Sequence, residues 1–317
     1  MRGAVTGVFS YSGRFIAEAL LARGWEVVAL GRRQPAPADS LAERVDFYPL
    51  LLDNEEALVS ALSGCEALFN TYWVRFEHGG ATFAEAIERS SRLFHAASRA
   101  QVRRIVHLSV SNAHAKSPFP YFRGKAAVEA ALRRANCSYA ILRPTLIFGG
   151  REEVLVNNIA WLLRRLPLFL LPDGGRCRLQ PVSVFDLARI AVDLGETEGN
   201  VVLDLAGPET FTFADLVAQI KDAVGSHARL LSAPSGFVLT CSALAGFLLR
   251  DRLLTRDELG ALTDNLLACE TATTESRFSD WLEANASWLG SNYANELRRN
   301  WHPSLSNSQT HRATTEE

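Results

Sequence analysis

Tyr121 and Lys125, four residues apart in YFRGK, carry the most definite chemistry in the sequence. On a helix they share one face, so both side chains can reach the same crevice. A free phenol titrates near pH ~10 and is inert at neutrality. A neighbouring ammonium stabilises the phenolate, which suits the pair to moving the proton that accompanies interchange of C–OH and C=O. Two hydroxyls, Ser109 and Ser111, lie just upstream in SVSN, and either could hold the substrate oxygen.

A second group sits at the N-terminus, in Thr6-Gly7-Val8-Phe9-Ser10-Tyr11-Ser12-Gly13. Gly7 and Gly13 take the outer positions of a G-x-x-G-x-x-G turn between a strand and a helix, with Ser10 at the middle glycine. Such a turn lets backbone approach a pyrophosphate, and the helix N-terminus offers free N–H groups and a positive dipole end. Phe9, Ser10, Tyr11 and Ser12 are therefore expected beside a dinucleotide. The second strand ends in Gly31-Arg32-Arg33, where an NAD site usually places an acid; an arginine there suits the 2′-phosphate of NADP(H). NADP(H) is thus favoured over NAD(H), and the Lys125 ammonium would also hold the nicotinamide ribose. Asp53, after the third strand, is a candidate near the adenine. Asn70 and Thr71, ending the fourth, should pass beside the cofactor.

These groups need a scaffold. Apolar, β-branched runs at 3–6, 26–30, 46–52, 67–72, 105–109 and 139–143 alternate with helical patterns at 14–23, 55–62, 83–100 and 125–134. That rhythm predicts βαβ units and an α/β fold, a doubly wound parallel sheet of Rossmann type. The division expected is a nucleotide-binding core over 1–150, joined by a later strand at 201–205. A smaller, mostly helical substrate-facing region covers 151–299, with helices at 152–166, 213–224, 237–249, 256–267 and 278–299. A polar tail over 300–317 is expected to be disordered. The apolar stretches 161–172 and 237–249 read as helices buried in a core or lining an apolar pocket, and membrane contact is not expected.

The bulk properties exclude other classes. A formal net charge of -2 gives no reason to expect nucleic acid. Five scattered cysteines without a CxxC pair suit a reduced, cytoplasmic protein, and the N-terminus does not read as a signal peptide. No metal-ligand cluster stands out. His107, in a strand, reads as a satisfied core histidine, and Arg164-Arg165 as a solvated helix face. The partner expected is a small molecule, and a homodimer is compatible with the sequence.

TGVFSYSG, LGRR, YFRGK and LRPTLIFGG together resemble the short-chain dehydrogenase/reductase superfamily, in its extended and atypical NAD(P)-dependent epimerase/dehydratase branch. The stretch from Ile105 to Leu132 is also similar to the NADPH-binding accessory subunit of respiratory complex I. The resemblance covers most of residues 1–225. It implies Tyr121 as acid/base and Lys125 as its partner. It also places Arg143, Pro144, Phe148 and Gly149 beside the nicotinamide, and Val182 and Asp186 on the substrate side. An oxidoreductase or epimerase acting on a carbonyl or alcohol of a small, hydrophobic substrate follows. The alternative is a non-catalytic NADPH-binding sensor or accessory protein, which Ser10 in the glycine loop and the ambiguous serine keep open.

Overall fold

The computed structural model of the protein describes residues 1–300 except 33, 37 and 152. Arg33 and, Asn300 apart, the expected tail thus lie outside the described residues. In the first half strand and helix alternate: β1 (Arg2–Thr6), α1 (Tyr11–Ala22), β2 (Glu26–Gly31), β3 (Asp46–Pro49), α2 (Glu55–Leu62), β4 (Ala67–Asn70), α3 (Phe83–Arg99), β5 (Arg104–Leu108), α4 (Pro120–Arg133) and β6 (Ser138–Pro144). Strand β2 shows why these segments pair in a covered sheet. Its Val27, Val28, Ala29 and Leu30 are all buried, the continuous apolar run of a strand with helices on both faces.

The second half is more broken: β7 (Leu146–Phe148), α5 (Leu155–Arg165), β8 (Leu168–Pro172), β9 (Arg178–Leu179), β10 (Pro181–Ser183), α6 (Val184–Glu196), β11 (Val201–Leu205), β12 (Phe211–Thr212), α7 (Phe213–Ala223), β13 (Arg229–Ala233), α8 (Ser235–Leu249), α9 (Arg256–Thr263), α10 (Phe278–Asn285) and α11 (Glu296–Asn300). Three expectations are corrected here. The apolar stretch 161–172 is a helix only to Arg165; Pro167 ends it, and β8 then pairs in parallel with β13. The helix expected over 278–299 stops at Asn285. Five residues on, Gly290 stands at φ 73°, so close to α5 that a Cβ would lie 2.5 Å from the Ala160 carbonyl carbon. The helix over 256–267 stops at Thr263, ahead of Asn265 in the left-handed region.

Seven strands form one parallel sheet in the order β11-β6-β5-β4-β1-β2-β3. The order reverses at β1, whose neighbours are β2 and β4, and this is where an open α/β sheet leaves a crevice at its carboxyl edge. One apolar layer joins α1 and α6 to the sheet through Phe15, Ile16, Leu20, Val184 and Leu187. A second joins α2, α3 and α4 through Leu58, Leu93, Phe94, Val128 and Leu132. A third, with Ile159, Leu216, Ile220, Phe278 and Leu282, consolidates the C-terminal region. Arg164 and Arg165 are exposed, as expected of a solvated face, and also bind across to the following chain. They donate to the carbonyls of Leu289, Ala286, Gly290 and Ser291 and tie α5 to the chain beyond α10.

Candidate active site

The β1–α1 turn is built by its glycines. Gly7 has φ 71°, and a Cβ on it would lie 2.7 Å from Ser10 Oγ. A Cβ on Gly13 would lie 2.1 Å from the Gly7 carbonyl oxygen, so α1 can approach β1 this closely only without a side chain there. Ser10, at the middle position, turns its hydroxyl inward and donates to the Gly7 oxygen at 2.7 Å. It thus closes the turn and leaves the first N–H groups of α1 without a side-chain cap or an acidic residue in the first turn. This cradle of uncapped amides and a positive dipole end fits a dinucleotide pyrophosphate.

Behind the turn, Thr6 Oγ1 donates to Asn70 Oδ1 at 3.1 Å and accepts from the Thr71 amide at 2.7 Å. Thr71 Oγ1 donates to the Thr6 carbonyl at 2.5 Å. Asn70 is therefore buried support, while Thr71 faces the cavity. Asn70 Nδ2 donates to His107 Nδ1 at 3.1 Å, which leaves the imidazole proton on Nε2, where no partner is found among the described residues. The core histidine is thus half satisfied; burial, with Lys125 nearby, holds its pKa well below the usual value.

A cavity of about 1790 Å³ begins at this cradle. Gly7, Phe9, Ser10, Tyr11, Ser12, Arg32 and Thr71 line its nucleotide end, and Tyr121 lines the same cavity. The C-terminal region adds an apolar stretch of wall, with Ile159, Leu162, Leu168, Phe169, Leu216 and Phe237. Arg14 at the nucleotide end is tied to Asp39. The expectation for Asp53 is corrected: its exposed carboxylate is held by Arg89 and Arg92 of α3, both at 2.9 Å, and it stands off the cavity wall.

Around Tyr121 the expected group comes together only in part. Tyr121 packs edge-on against Trp73 and Phe83, with ring centroids 6.0 and 6.1 Å away. Burial pushes its phenol up, the Glu258 carboxylate adds to this, and Arg75 opposes it. Lys125 shares the helix but not the cavity. Its Nζ donates to the Leu108 carbonyl at 2.8 Å and lies 5.0 Å from the centre of the Trp73 ring, which covers it. Gly124 permits this, because a Cβ there would lie 2.7 Å from the Trp73 ring. Burial pushes the Lys125 ammonium down to about 7, with Glu129 opposing.

Neither serine is turned to the cavity wall. Ser109 Oγ donates to Glu129 Oε1 at 2.6 Å, inside a cluster where Arg143 also binds Glu129 at 2.8 Å. Ser111 Oγ donates to the Leu266 carbonyl at 2.7 Å. Pro144 and Gly13 are buried behind the wall. Of the residues placed by resemblance, Gly149 holds Tyr11 Oη at 2.8 Å, and Asp186 accepts from the Ser276 amide at 3.1 Å.

Two carboxylates on the cavity wall, Glu258 and Glu153, were not picked out in the sequence. Arg75 and Glu258 form an ion pair at 2.5 Å on the cavity wall, and Glu258 also closes a capping box with Thr255 at the start of α9. The T-x-x-E spacing was a signal for that cap. Nothing local in sequence joins it to Arg75, 183 positions away. Glu153, also on the wall, accepts from the Val156 and Asn157 amides at 2.9 Å; burial pushes its carboxyl up to about 7.

Residues 10–156 match a family model described as NAD(P)H-binding. The chain is 22% identical to the mitochondrial NADH dehydrogenase [ubiquinone] 1 alpha subcomplex subunit 9 of Arabidopsis thaliana, over 84% of this chain and 71% of that protein. It is 27% identical to the ceramide reductase of Caulobacter vibrioides, over 76% of each. Among solved structures, the Citrobacter sp. triphenylmethane reductase complexed with NADP(H) superposes with a TM-score of 0.71 at 19% identity, covering 90% of this chain and all of that one. The Brucella ovis UDP-glucose 4-epimerase in complex with NAD does so at 0.60 and 18%, covering 74% and 86%. The fold is the NAD(P)-binding Rossmann fold, and the resemblance read from the motifs is borne out.

Proposed function

Taking residues 10–156 as an NAD(P)H-binding domain, we propose that the protein is a cytoplasmic NADP(H)-dependent oxidoreductase that reduces a carbonyl of a hydrophobic small molecule. One observation carries this reading: a single cavity is lined by the dinucleotide cradle, a phenol and an apolar stretch of wall. A typical ligand site occupies ~300–1,000 Å³, so a cavity of about 1790 Å³ has room for a second molecule beside a dinucleotide. Arg32, at the cavity edge where an NAD site would carry an acid, supports NADP(H).

When bound, the dinucleotide supplies a hydride. The chain's own residues supply position and a proton. Gly7, Gly13 and the first turn of α1 cradle the pyrophosphate. The Tyr121 hydroxyl, kept protonated by burial and by Glu258, donates to the carbonyl oxygen as negative charge develops there. At neutral pH the phenol stands in its protonated form, the form from which reduction of a carbonyl starts. Lys125 acts as a positioning residue, holding α4 to the end of β5 through the Leu108 carbonyl. The names of two relatives, a ceramide reductase and a triphenylmethane reductase, are in keeping with a bulky apolar substrate.

A second reading is favoured by a specific observation. Ser109, Ser111 and Lys125 are all turned to protein partners, which suits a protein that holds NADPH without turnover. The complex I subunits among the relatives fit it. Consumption of NADPH against aromatic and long-chain carbonyls separates the two. Turnover should fall by about 10²-fold or more in Tyr121→Phe with NADPH affinity unchanged. Tight NADPH binding with no turnover on any carbonyl would establish the second reading instead.

A further inference from the structure

Helix α8 reads SGFVLTCSALAGFLL, 15 residues without a charge. A helix apolar on all sides belongs in a core, where every side is covered. This one is covered on one side only. Its buried residues are Val238 and Gly246, whereas Phe247 is 80% exposed, Leu248 74% and Leu244 65%. Phe237, Val238, Cys241 and Ala245 of the same helix line the cavity, and Leu244, Phe247 and Leu248 lie outside that lining.

The charge differs between the two ends of α8: Asp173 holds the Ser235 amide and hydroxyl at its start, and arginines follow its carboxyl end. From Ala223 to Arg256 the chain carries the exposed Arg229, Arg250, Arg252 and Arg256. Its one acid there, Asp251, is buried and holds the Tyr293 hydroxyl at 2.6 Å and the Glu296 amide at 2.9 Å. These arginines belong to a chain whose formal net charge is -2.

We propose that α8 is a membrane-docking helix. Leu244, Phe247 and Leu248 enter the boundary between headgroups and acyl chains of an anionic bilayer, and Arg250 and Arg252 at the helix end meet its phosphates. At ~1.5 Å per residue the helix is about 22 Å long, too short to cross a hydrocarbon core of ~30 Å. It therefore lies in the plane of the interface. Anionic lipid neutralises the arginines at the carboxyl end, and the same helix lines the cavity, so a bilayer is the occupant that suits both features. Docked this way, the protein sets the apolar end of its cavity beside the bilayer, so a hydrophobic molecule can enter without crossing water.

Flotation of the full chain with vesicles of phosphatidylcholine, alone or mixed with phosphatidylglycerol, tests this without reference to turnover. The wild type should float with the mixed vesicles and partition at least about tenfold less in the Phe247→Asp/Leu248→Asp double variant. Arg250→Glu/Arg252→Glu should lose the preference for anionic lipid, as should the wild type at high salt. Unchanged NADPH titrations in both variants would show that the folded nucleotide site is intact. The proposal is overturned if the wild type does not float, or if the double variant floats equally well. It is also overturned if, without vesicles, the wild type forms a concentration-dependent dimer that the double variant abolishes, since the patch would then join two copies.

Discussion

The two ends of the cavity are built in opposite ways. At the nucleotide end, one β–α turn supplies nearly everything: Gly7, Ser10 and Gly13 lie within seven residues, and short backbone contacts fix their geometry. At the apolar end the wall is assembled from α5, β8, α7 and α8, segments spread over some ninety positions and joined by side-chain packing. The first end is specified by backbone that tolerates no added atom. The second is specified by apolar volume, which many sequences satisfy.

The sharpest way to break this contrast is to add one carbon at each end. Gly13→Ala places a Cβ 2.1 Å from the Gly7 oxygen, so NADPH affinity should drop by more than about 100-fold, with a large loss of melting temperature. Gly236→Ala in α8 meets nothing within 4 Å. Its stability should stay within about 1 kcal/mol of wild type, with the helix slightly favoured. NADPH fluorescence titration and thermal melts of both variants check the pair; equal effects would mean that the turn is not the rigid end.

A smaller effect sharpens the nucleotide end. Arg32→Asp should weaken NADPH about tenfold to a hundredfold relative to NADH, the range lost with a charge-assisted contact. Titration of both nucleotides measures it. An unchanged ratio would remove Arg32 from 2′-phosphate recognition.

This contrast also governs what could be read from the sequence. Strands β1, β2 and β4 to β6, and the cradle between β1 and α1, were legible because each is a local pattern of period and punctuation. So was β11, which joins the sheet beside β6 from sixty positions away, because Val201–Leu205 carries a strand pattern of its own. The path after Leu166 was not legible, since an apolar run such as LPLFLLP is equally a buried helix or a buried strand until its neighbour β13 is known. At Tyr121 the Y-x-x-x-K spacing correctly placed two side chains on one helix. It was silent on Trp73, whose ring, admitted by Gly124, separates the ammonium from the cavity. The Ser109–Glu129–Arg143 cluster was hidden for the same reason, because its members come from β6, α4 and the end of β5.

The smallest effect is one of pH, at the edge of the apolar end. Glu153 has its folded pKa raised to about 7 from 4.5. Between these values the folded chain holds the proton more tightly than the unfolded chain, so this group's contribution to stability is present below about pH 4.5 and is lost as pH rises to 7. Glu153→Gln should flatten that part of the profile by a few degrees of melting temperature between pH 5 and about pH 8. Parallel profiles for wild type and variant would contradict it.

The proposed reaction requires hydride to pass between the two ends of this cavity. The most direct measurement is single turnover of NADPH deuterated at C4, in the transferable position, with a long-chain aromatic ketone, reading the alcohol product by mass spectrometry. One deuterium is expected at the carbinol carbon, with the yield at fixed time cut in Tyr121→Phe. Bound NADPH that persists with no deuterated product from any carbonyl would contradict it.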